Sequence, residues 1–238
     1  MARVVVPFPV LPGKTADDAK SIAEEFRRRP DEYAESRRRL GVTLERVYLQ
    51  TTPMGMFVVA YVESGTSFGQ TMGAVGQSDL DLDKYFVGAV KEIHGVDLTQ
   101  PPQGQPPETV GEWVDPQVTE RRKGMAFCAP LIPGTEEQGR AFCRDAFSRP
   151  EMTESRRALQ ENVEVVTLVN TPNGPAAGVY LEGEDPWEGN RRFAASTSTF
   201  DTWFKDELEK FFPPMIDFGQ PVPGVEEIFD SAGIPART

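Results

Sequence analysis

The order of apolar and polar residues along the chain predicts alternating strands and helices. Residues 3 to 10 are mostly β-branched, which is typical of a strand. Ala19, Ile22, Ala23 and Phe26 then form one apolar stripe at helical spacing. The same reasoning predicts a hairpin over 43 to 51 and 56 to 63, an irregular segment from Gly65 to Gly76, a helix from Asp79 to His94, a loop from Pro101 to Pro107 and a closing strand from Val110 to Val114.

Most of this signature recurs about half a chain later. Glu-Ser-Arg-Arg, Thr-Pro-x-Gly and Tyr-x-Glu each return 119 residues on, as from Glu35 to Glu154. A fixed internal period of this kind indicates a tandem duplication. We therefore predict two repeats, residues 1–119 and 120–238. The second has a strand from Met125 to Leu131, a helix opened by a capping box of Thr135 and Gln138, a hairpin from Val163 to Glu182, a helix from Phe200 to Phe212 and a last strand from Glu226 to Phe229.

Each half thus has the order β-α-β-β-α-β, which predicts an α+β fold of two tandem ferredoxin-like repeats. Side chains in a strand point alternately to opposite faces. In each hairpin one face is small and apolar, which suits a cover of helices, whereas the other mixes aromatic, aliphatic and acidic residues. That mixed face is too apolar for water, so we expect the two antiparallel sheets to face each other. Its members include Phe57, Val59, Tyr61, Glu63, Tyr180 and Glu182.

Charge and composition exclude several classes of function. The formal net charge is −12, and both halves are acidic, so a nucleic-acid partner is not expected. The arginine runs 27 to 29 and 37 to 39 are predicted to be solvated helix faces. No apolar run is long enough to span a membrane, and the first residues do not form a secretory signal, so the predicted location is the cytoplasm without membrane attachment.

The titratable sulfur and imidazole groups are too few for a metal centre. Cys128 and Cys143 are predicted to be buried thiols without a disulfide, and His94 is the only histidine. No second Cys or His pair stands at zinc-ligand spacing. We therefore predict neither a metal nor a cofactor.

Three motif strings carry a resemblance to a known superfamily. They are Leu-Gln-Thr-Thr-Pro-Met-Gly at 49 to 55, Val-Ala-Tyr-Val-Glu at 59 to 63 and Lys-Glu-Ile-His-Gly-Val-Asp-Leu at 91 to 98. With the element order, they resemble the dimeric α/β-barrel superfamily in a form with both halves fused in one chain. That superfamily includes cofactor-free antibiotic-biosynthesis monooxygenases, polyketide cyclases, EthD-like proteins, stress-responsive barrel proteins and haem-dependent relatives of chlorite dismutase. The resemblance implies the fold; its motifs include no catalytic signature.

Three residues are candidates for catalysis. Tyr61 and Glu63 lie near a strand end on the inward face, where they would serve as hydrogen-bond donor and general base. The alternative is that Glu63 and its equivalent Glu182 form ion pairs with Arg46 or with helix arginines across the repeat interface. His94 would act in catalysis or ligate a haem, and the alternative is that it caps the end of its helix.

The two inward faces differ in polarity, which suggests a ligand cavity with one polar and one apolar end. The predicted ligand-binding residues are Arg46, Tyr48, Gln50, Phe57, Thr167, Tyr180 and Glu182. The leading hypothesis is a small-molecule enzyme of the cofactor-free monooxygenase or cyclase type that acts on an apolar or aromatic ligand. The alternatives are a non-catalytic ligand-binding or assembly module and a haem protein. We expect a monomeric pseudo-dimer or a homodimer.

Overall fold

The computed structural model describes residues 1–101 and 104–234 of the chain, and the predicted order of elements occurs twice in it. The first repeat contains β1 (Ala2–Pro9), α1 (Ala16–Arg28), α2 (Pro30–Leu40), β2 (Val42–Thr52), β3 (Gly55–Ser64), α3 (Phe68–Gly76), α4 (Asp81–His94) and β4 (Glu108–Val114). The second contains β5 (Lys123–Pro130), α5 (Glu136–Ala146), α6 (Pro150–Ala158), β6 (Glu161–Thr171), β7 (Gly174–Gly183), α7 (Pro186–Ala195), α8 (Thr199–Leu208) and β8 (Val225–Asp230). Residues 102 and 103 of the predicted loop lie outside the described residues.

Three local predictions differ from the structure. The segment predicted to be irregular contains α3, which begins at a reciprocal capping box between Ser67 and Gln70. At α5 the predicted capping box is absent, because the Thr135 hydroxyl donates to the carbonyl of Ile132 instead of accepting from the helix. Helix α8 ends at Leu208, earlier than predicted. At α3 a capping signal in the sequence was missed, and at α5 the predicted cap was overridden by a neighbouring acceptor.

The two four-stranded antiparallel sheets each contain one strand from the other repeat. Their strand orders are β1-β3-β2-β8 and β4-β6-β7-β5. Tyr48 of β2 lies opposite Glu227 of β8, and Val165 of β6 lies opposite Glu112 of β4. The prediction that each repeat closes its own sheet is therefore wrong, because the two closing strands are exchanged. The boundary between residues 119 and 120 stays a prediction, since neither half of the chain contains all the strands of one sheet.

The sheets face each other, as predicted, and the fold class of two tandem ferredoxin-like repeats is confirmed. The mixed faces pack into one interior core, in which the rings of Tyr61 and Tyr180 are stacked with centroids 3.5 Å apart and planes 3° apart. The other buried apolar members come from both sheets: Val5, Leu44, Tyr48, Val59, Ala126, Cys128, Val163 and Val165. This interior is filled with side chains.

Side chains from the opposite sheet satisfy backbone groups at the sheet edges. The amide of Val5 on β1 donates to Thr167 Oγ1 at 3.0 Å. The amide of Cys128 on β5 donates to Gln50 Oε1 at 2.8 Å. An edge strand otherwise leaves a row of unpaired amides and carbonyls. Gln50 and Thr167 therefore hold the two sheets in register with each other.

The recurrent Glu-Ser-Arg-Arg motif ties a helix to the outer face of each sheet. The Ser36 hydroxyl donates to Asp83 Oδ1 at 2.6 Å, and Arg37 Nε donates to Glu45 Oε2 at 2.7 Å. The second repeat has the same contacts among Ser155, Asp201, Arg156 and Glu164. The prediction of a solvated arginine run is wrong for Arg37, whose side chain is 9% exposed, and holds for Arg38, which is 72% exposed.

Helices cover the outer face of each sheet and complete a separate apolar core there. In the first repeat, Phe26 and Leu82 from two helices pack with Phe229 of the exchanged strand β8. None of the described helices combines the length and apolar character that crossing a membrane would require.

Candidate functional site

The predicted catalytic residues Tyr61 and Glu63 lie in the interior between the sheets. The Tyr61 hydroxyl donates to Glu63 Oε1 at 2.6 Å, and Arg3 Nε donates to the same oxygen at 3.3 Å. Arg121, from the segment that joins the repeats, donates to the other carboxylate oxygen. Tyr61 and Glu63 have no exposed surface. A buried carboxylate needs such partners, and here two arginines neutralise it.

The equivalent pair, Tyr180 and Glu182, is neutralised by a different cation. The Tyr180 hydroxyl donates to Glu182 Oε2 at 2.8 Å, and Arg46 Nη1 donates to the same oxygen at 3.0 Å. Arg46 also donates to the Tyr180 hydroxyl and, through Nε, to Asp230 Oδ2 at 3.0 Å. Arg46 comes from the opposite sheet and is 2% exposed. These contacts are those of the alternative interpretation, an ion pair across the repeat interface.

The register of the strands explains why the two inward faces differ. Arg3 lies opposite Glu63 on β1 and β3, and Gly124 occupies the equivalent place opposite Glu182 on β5 and β7. The absent side chain at Gly124 leaves the space that the Arg46 guanidinium fills. The difference in polarity between the two faces thus gives Glu63 the cation Arg3 and Glu182 the cation Arg46, while Arg121 approaches both carboxylates and lies 3.6 Å from Glu182 Oε2.

Adding one carbon atom at this position is expected to destabilise the protein. A Cβ on Gly124 would lie 2.5 Å from the Tyr48 hydroxyl oxygen, 2.7 Å from Tyr180 Cε2 and 2.8 Å from Arg46 Nη1. We expect Gly124→Ala to lower the free energy of unfolding by about 1 to 3 kcal/mol, measured by urea denaturation. In the control Gly88→Ala, the new carbon meets no atom within 4 Å, so stability should be equal or higher. Equal stability of wild type and Gly124→Ala would contradict this account of the packing.

The interior cluster has a fixed protonation state near neutral pH. Burial raises the pKa of Tyr61, and the charge of Glu63 raises it further. Burial also favours a higher pKa for Glu63, but hydrogen bonds from Arg121 and Tyr61, with the charges of Arg121 and Arg3, outweigh it and lower the pKa. Tyr61 therefore stays a phenol and Glu63 a carboxylate. A carboxylate held in this way is a weak base, which argues against proton transfer by this pair.

The other predicted ligand-binding residues also belong to the packed interior. Gln50 and Thr167 bond to edge amides of the opposite sheets, and Phe57 packs against the interior core. The hydroxyl of Tyr48 is buried and has no hydrogen-bond partner within the described part of the chain. Burial raises the pKa of Tyr48, so this hydroxyl keeps its proton.

A partly open cavity of about 60 Å³ lies instead on the outer face of the first sheet, beneath α1, α3 and α4. Its wall is almost entirely apolar, and Glu45 and His94 are its titratable lining residues. The exchanged strand β8 contributes Ile228 and Phe229, so the cavity needs both repeats. The apolar lining residues without an aromatic ring include Ala19, Ile22, Ala23, Val58, Ala60 and Met72.

His94 is the last residue of α4 and contacts β1. Its Nδ1 lies 3.0 Å from the carbonyl oxygen of Pro9. A carbonyl only accepts, so Nδ1 carries the proton, and Nε2 of the neutral ring has a free electron pair. Burial lowers the pKa of His94, and the bond to Pro9 only partly offsets this effect, so the ring is neutral at pH 7. The prediction that His94 caps its own helix is wrong, because its side chain bonds to β1 and Gly95 ends the helix.

The second repeat fills the equivalent space with aromatic rings. Matching helix starts make Ile22 equivalent to Phe142. The amide of Leu11 donates to the carbonyl of Ile93 and the amide of Ile132 to that of Phe211, so the following residues, His94 and Phe212, are also equivalent. Phe142 packs edge-on against Phe204, with ring centroids 4.8 Å apart, and Phe212 belongs to the same cluster. In residues 1–101 and 104–234, neither the cavity beneath the first-repeat helices nor the cleft at the start of α5 is lined by Phe142 or Phe212.

Of the ten predicted site residues, His94 lines the cavity beneath the first-repeat helices and the other nine do not. A second, open cleft of about 410 Å³ lies around the start of α5, and none of the ten lines it. Tyr61 and Glu63 lie on the inner face of the first sheet, whereas the cavity and His94 lie on its outer face. The structure therefore does not bring the three predicted catalytic residues together. The sequence feature that could have indicated the cavity was the smaller residue of the first repeat, Ile22, at the position where the second repeat has Phe142.

The residues present do not fit a metal or a haem. Within residues 1–101 and 104–234, no three His, Cys, Asp or Glu side chains are grouped closely enough to hold a metal ion. The space beside His94 is about 60 Å³. A porphyrin is several times larger than this space, so a haem does not fit beside His94.

The fold and the cavity define a class: a tandem ferredoxin-like α+β protein with facing sheets and an apolar cavity beneath the helices of the first repeat. No family model and no curated protein sequence matches the chain. Among solved structures it is similar to a proposed monooxygenase from Fusobacterium nucleatum, with 8% identity and a TM-score of 0.48 over 94% of this chain and 88% of that one. It is also similar to an anthrone oxidase-like protein, with 10% identity and a TM-score of 0.46 over 95% and 92% of the two chains. At such low identities and TM-scores the likeness carries no argument about ligand or reaction.

Proposed function

We propose that the protein binds a small, mainly apolar molecule in the cavity beneath the first-repeat helices, with His94 as the group that accepts a proton from it. The observation that carries this proposal is the difference between the repeats. The second repeat closes the equivalent space with Phe142 and Phe212, whereas the first keeps it open with Ile22 and His94. Empty apolar space is destabilising, so a space kept in one copy alone favours a role in binding.

The size of the cavity restricts the ligand and its route of entry. A cavity of about 150 Å³ is known to hold benzene, so the present space of about 60 Å³ must widen to admit an aromatic ring. Met72 is a lining residue with a flexible, unbranched side chain, which suits such adjustment. We therefore expect binding to displace Met72 and the α3 helix that carries it.

The chemistry available at the cavity is proton transfer. Cofactor-free oxygenation or cyclisation, the reaction class implied by the sequence resemblance, begins when an aromatic ketone or quinol loses a proton. The free Nε2 of neutral His94 is a suitable acceptor, and its bond to the Pro9 carbonyl fixes the tautomer. Glu45 is occupied by Tyr33 and Arg37, which leaves His94 as the better base.

The proposal is tested by thermal shift with a panel of aromatic ketones and quinols. A ligand at one hundred times its dissociation constant should stabilise the wild type by about 2.7 kcal/mol. Ile22→Phe, which introduces the residue of the second repeat, should abolish the shift. The control Tyr61→Phe should change the baseline stability and keep the ligand shift. No shift in the wild type, or an undiminished shift in Ile22→Phe, would refute binding in this cavity.

Oxygen uptake separates an enzyme from the alternative, a non-catalytic binding module. The complete packing of Tyr61 and Glu63 favours that alternative, because it removes two of the three predicted catalytic groups. If His94 is the base, His94→Gln should keep the thermal shift and lose oxygen uptake. Binding with neither oxygen uptake nor conversion of the ligand to a cyclised product by the wild type would leave a binding protein.

A further inference from the structure

We propose that Glu161 is a buried acid whose proton is retained while helix α7 packs against the second sheet, and that the helix opens more readily as the pH rises through neutrality because opening releases this proton. This inference is independent of the cavity and of its ligand.

The proposal begins with an excess of carboxylates around one arginine. Arg156 is 3% exposed and donates to Glu164, while Asp201 Oδ1 lies 3.8 Å from Arg156 Nη1. Glu161 is 4% exposed, and its Oε2 lies 3.8 Å from Arg156 Nε, beyond hydrogen-bond distance. Three buried carboxyl groups thus share one positive charge, which disfavours the ionised form of at least one of them.

The first repeat lacks the third carboxyl group. Val42 lies opposite Ser64 at the start of β2, and Glu161 lies opposite Gly183 at the start of β6, so these two positions are equivalent. Arg37 therefore faces Glu45 and Asp83 without a third acid. The excess charge is specific to the second repeat.

The hydrogen bonds indicate which of the three carries the proton. Glu164 accepts from Arg156, and Asp201 accepts from the hydroxyls of Ser155 and Ser196, each at 2.5 Å. Glu161 has only the longer approach to Arg156. Burial raises the pKa of Glu161 from its ordinary 4.5 to about 8, and the charges of Glu164 and Asp201 add to this effect against that of Arg156.

Helix α7 (Pro186–Ala195) packs directly against Glu161, so its packing depends on whether Glu161 is protonated. Gly189 packs so closely that a Cβ there would lie 2.8 Å from Glu161 Oε1. The charged groups that face Glu161 come from α6, β6 and α8, namely Arg156, Glu164 and Asp201. Helix α7 presents Gly189 to Glu161, and its two arginines pair with Glu188 of the same helix, Arg192 also donating to Gln160 Oε1 at 2.7 Å. Neither arginine is paired with Glu161. Moving α7 away admits water to Glu161.

The sign of the pH effect follows from proton linkage. The packed state binds the Glu161 proton up to about pH 8, whereas a hydrated Glu161 loses it near pH 4.5. The opened state therefore holds fewer protons between these values, and raising the pH favours it. One proton released per opening corresponds to about a tenfold rise in the opening equilibrium per pH unit, which levels off above pH 8.

Hydrogen exchange of the α7 amides, corrected for the intrinsic pH dependence of exchange, tests this proposal. Between pH 6 and 8 the equilibrium constant for opening of α7 in the wild type should rise about tenfold per pH unit, with a plateau above pH 8. Glu161→Gln and Glu161→Val, the latter the residue of the first repeat, should remove the slope. The control Glu184→Gln changes an exposed acid before α7 and should keep the pH dependence of opening. A slope that persists in either folded Glu161 variant, or a wild type without a slope, would overturn the proposal.

Discussion

Arg46→Met is expected to lower the free energy of unfolding by about 3 to 5 kcal/mol, the usual effect of removing one partner from a buried ion pair. The change leaves Glu182 fully buried and removes the cation that also bonds to Tyr180 and Asp230. Methionine keeps much of the apolar part of the arginine side chain, so the loss of stability measures mainly the removal of the positive charge. Urea denaturation at pH 7 measures it.

Two further variants make this prediction specific. The control Arg122→Met removes a half-exposed arginine whose side chain is 3.5 Å from Glu184, so it should cost less than about 1 kcal/mol. The double variant Arg46→Met, Glu182→Gln removes both charges and should recover a large part of the loss. If Arg46→Met were no more destabilising than Arg122→Met, the interior ion pair would not hold the two sheets together.

Arg37→Met is expected to be similarly destabilising, by about 3 to 5 kcal/mol, because Glu45 and Asp83 would remain buried without their cation. The guanidinium also lies over two rings, 4.7 Å from the centroid of Phe26 and 4.6 Å from that of Tyr33. Chemical denaturation followed by circular dichroism measures the loss.

The adjacent arginine of the same motif is the matched control. Arg38 is 72% exposed and pairs with Glu35 on the helix surface, so Arg38→Met should change stability by no more than about 0.5 kcal/mol. Equal effects at the two positions would show that the recurrent motif does not tie the helix to the sheet.

The local faces of the hairpins were predictable because strand side chains alternate strictly. Val58 and Ala60 pack outward under helices, and Tyr61 and Glu63 point inward between the sheets, as the sequence pattern indicated. The face that contains Arg46 was also predicted. What each inward residue does there was not predictable, since its partner lies on the opposite sheet, far away in the sequence.

The candidate site was much less accessible to prediction than the fold. The sequence contains one histidine, and His94 was identified as a candidate on that basis. Its proposed companions, Tyr61 and Glu63, proved to be on the other face of the sheet. A cavity is a volume that neighbouring elements fail to fill, so it depends on how Ile22 and His94 pack against several helices at once.

By itself the sequence determined the duplication, the order of elements and the faces of the strands, because each depends on spacing along the chain. The tertiary structure alone decided that β4 and β8 exchange sheets, since all edge strands present the same backbone groups and local pattern does not choose among them. It also decided that the interior is packed and that the apolar cavity lies on the outer face of the first sheet. Those outcomes depend on which side chains meet across the molecule, as Gly124 and Arg46 do.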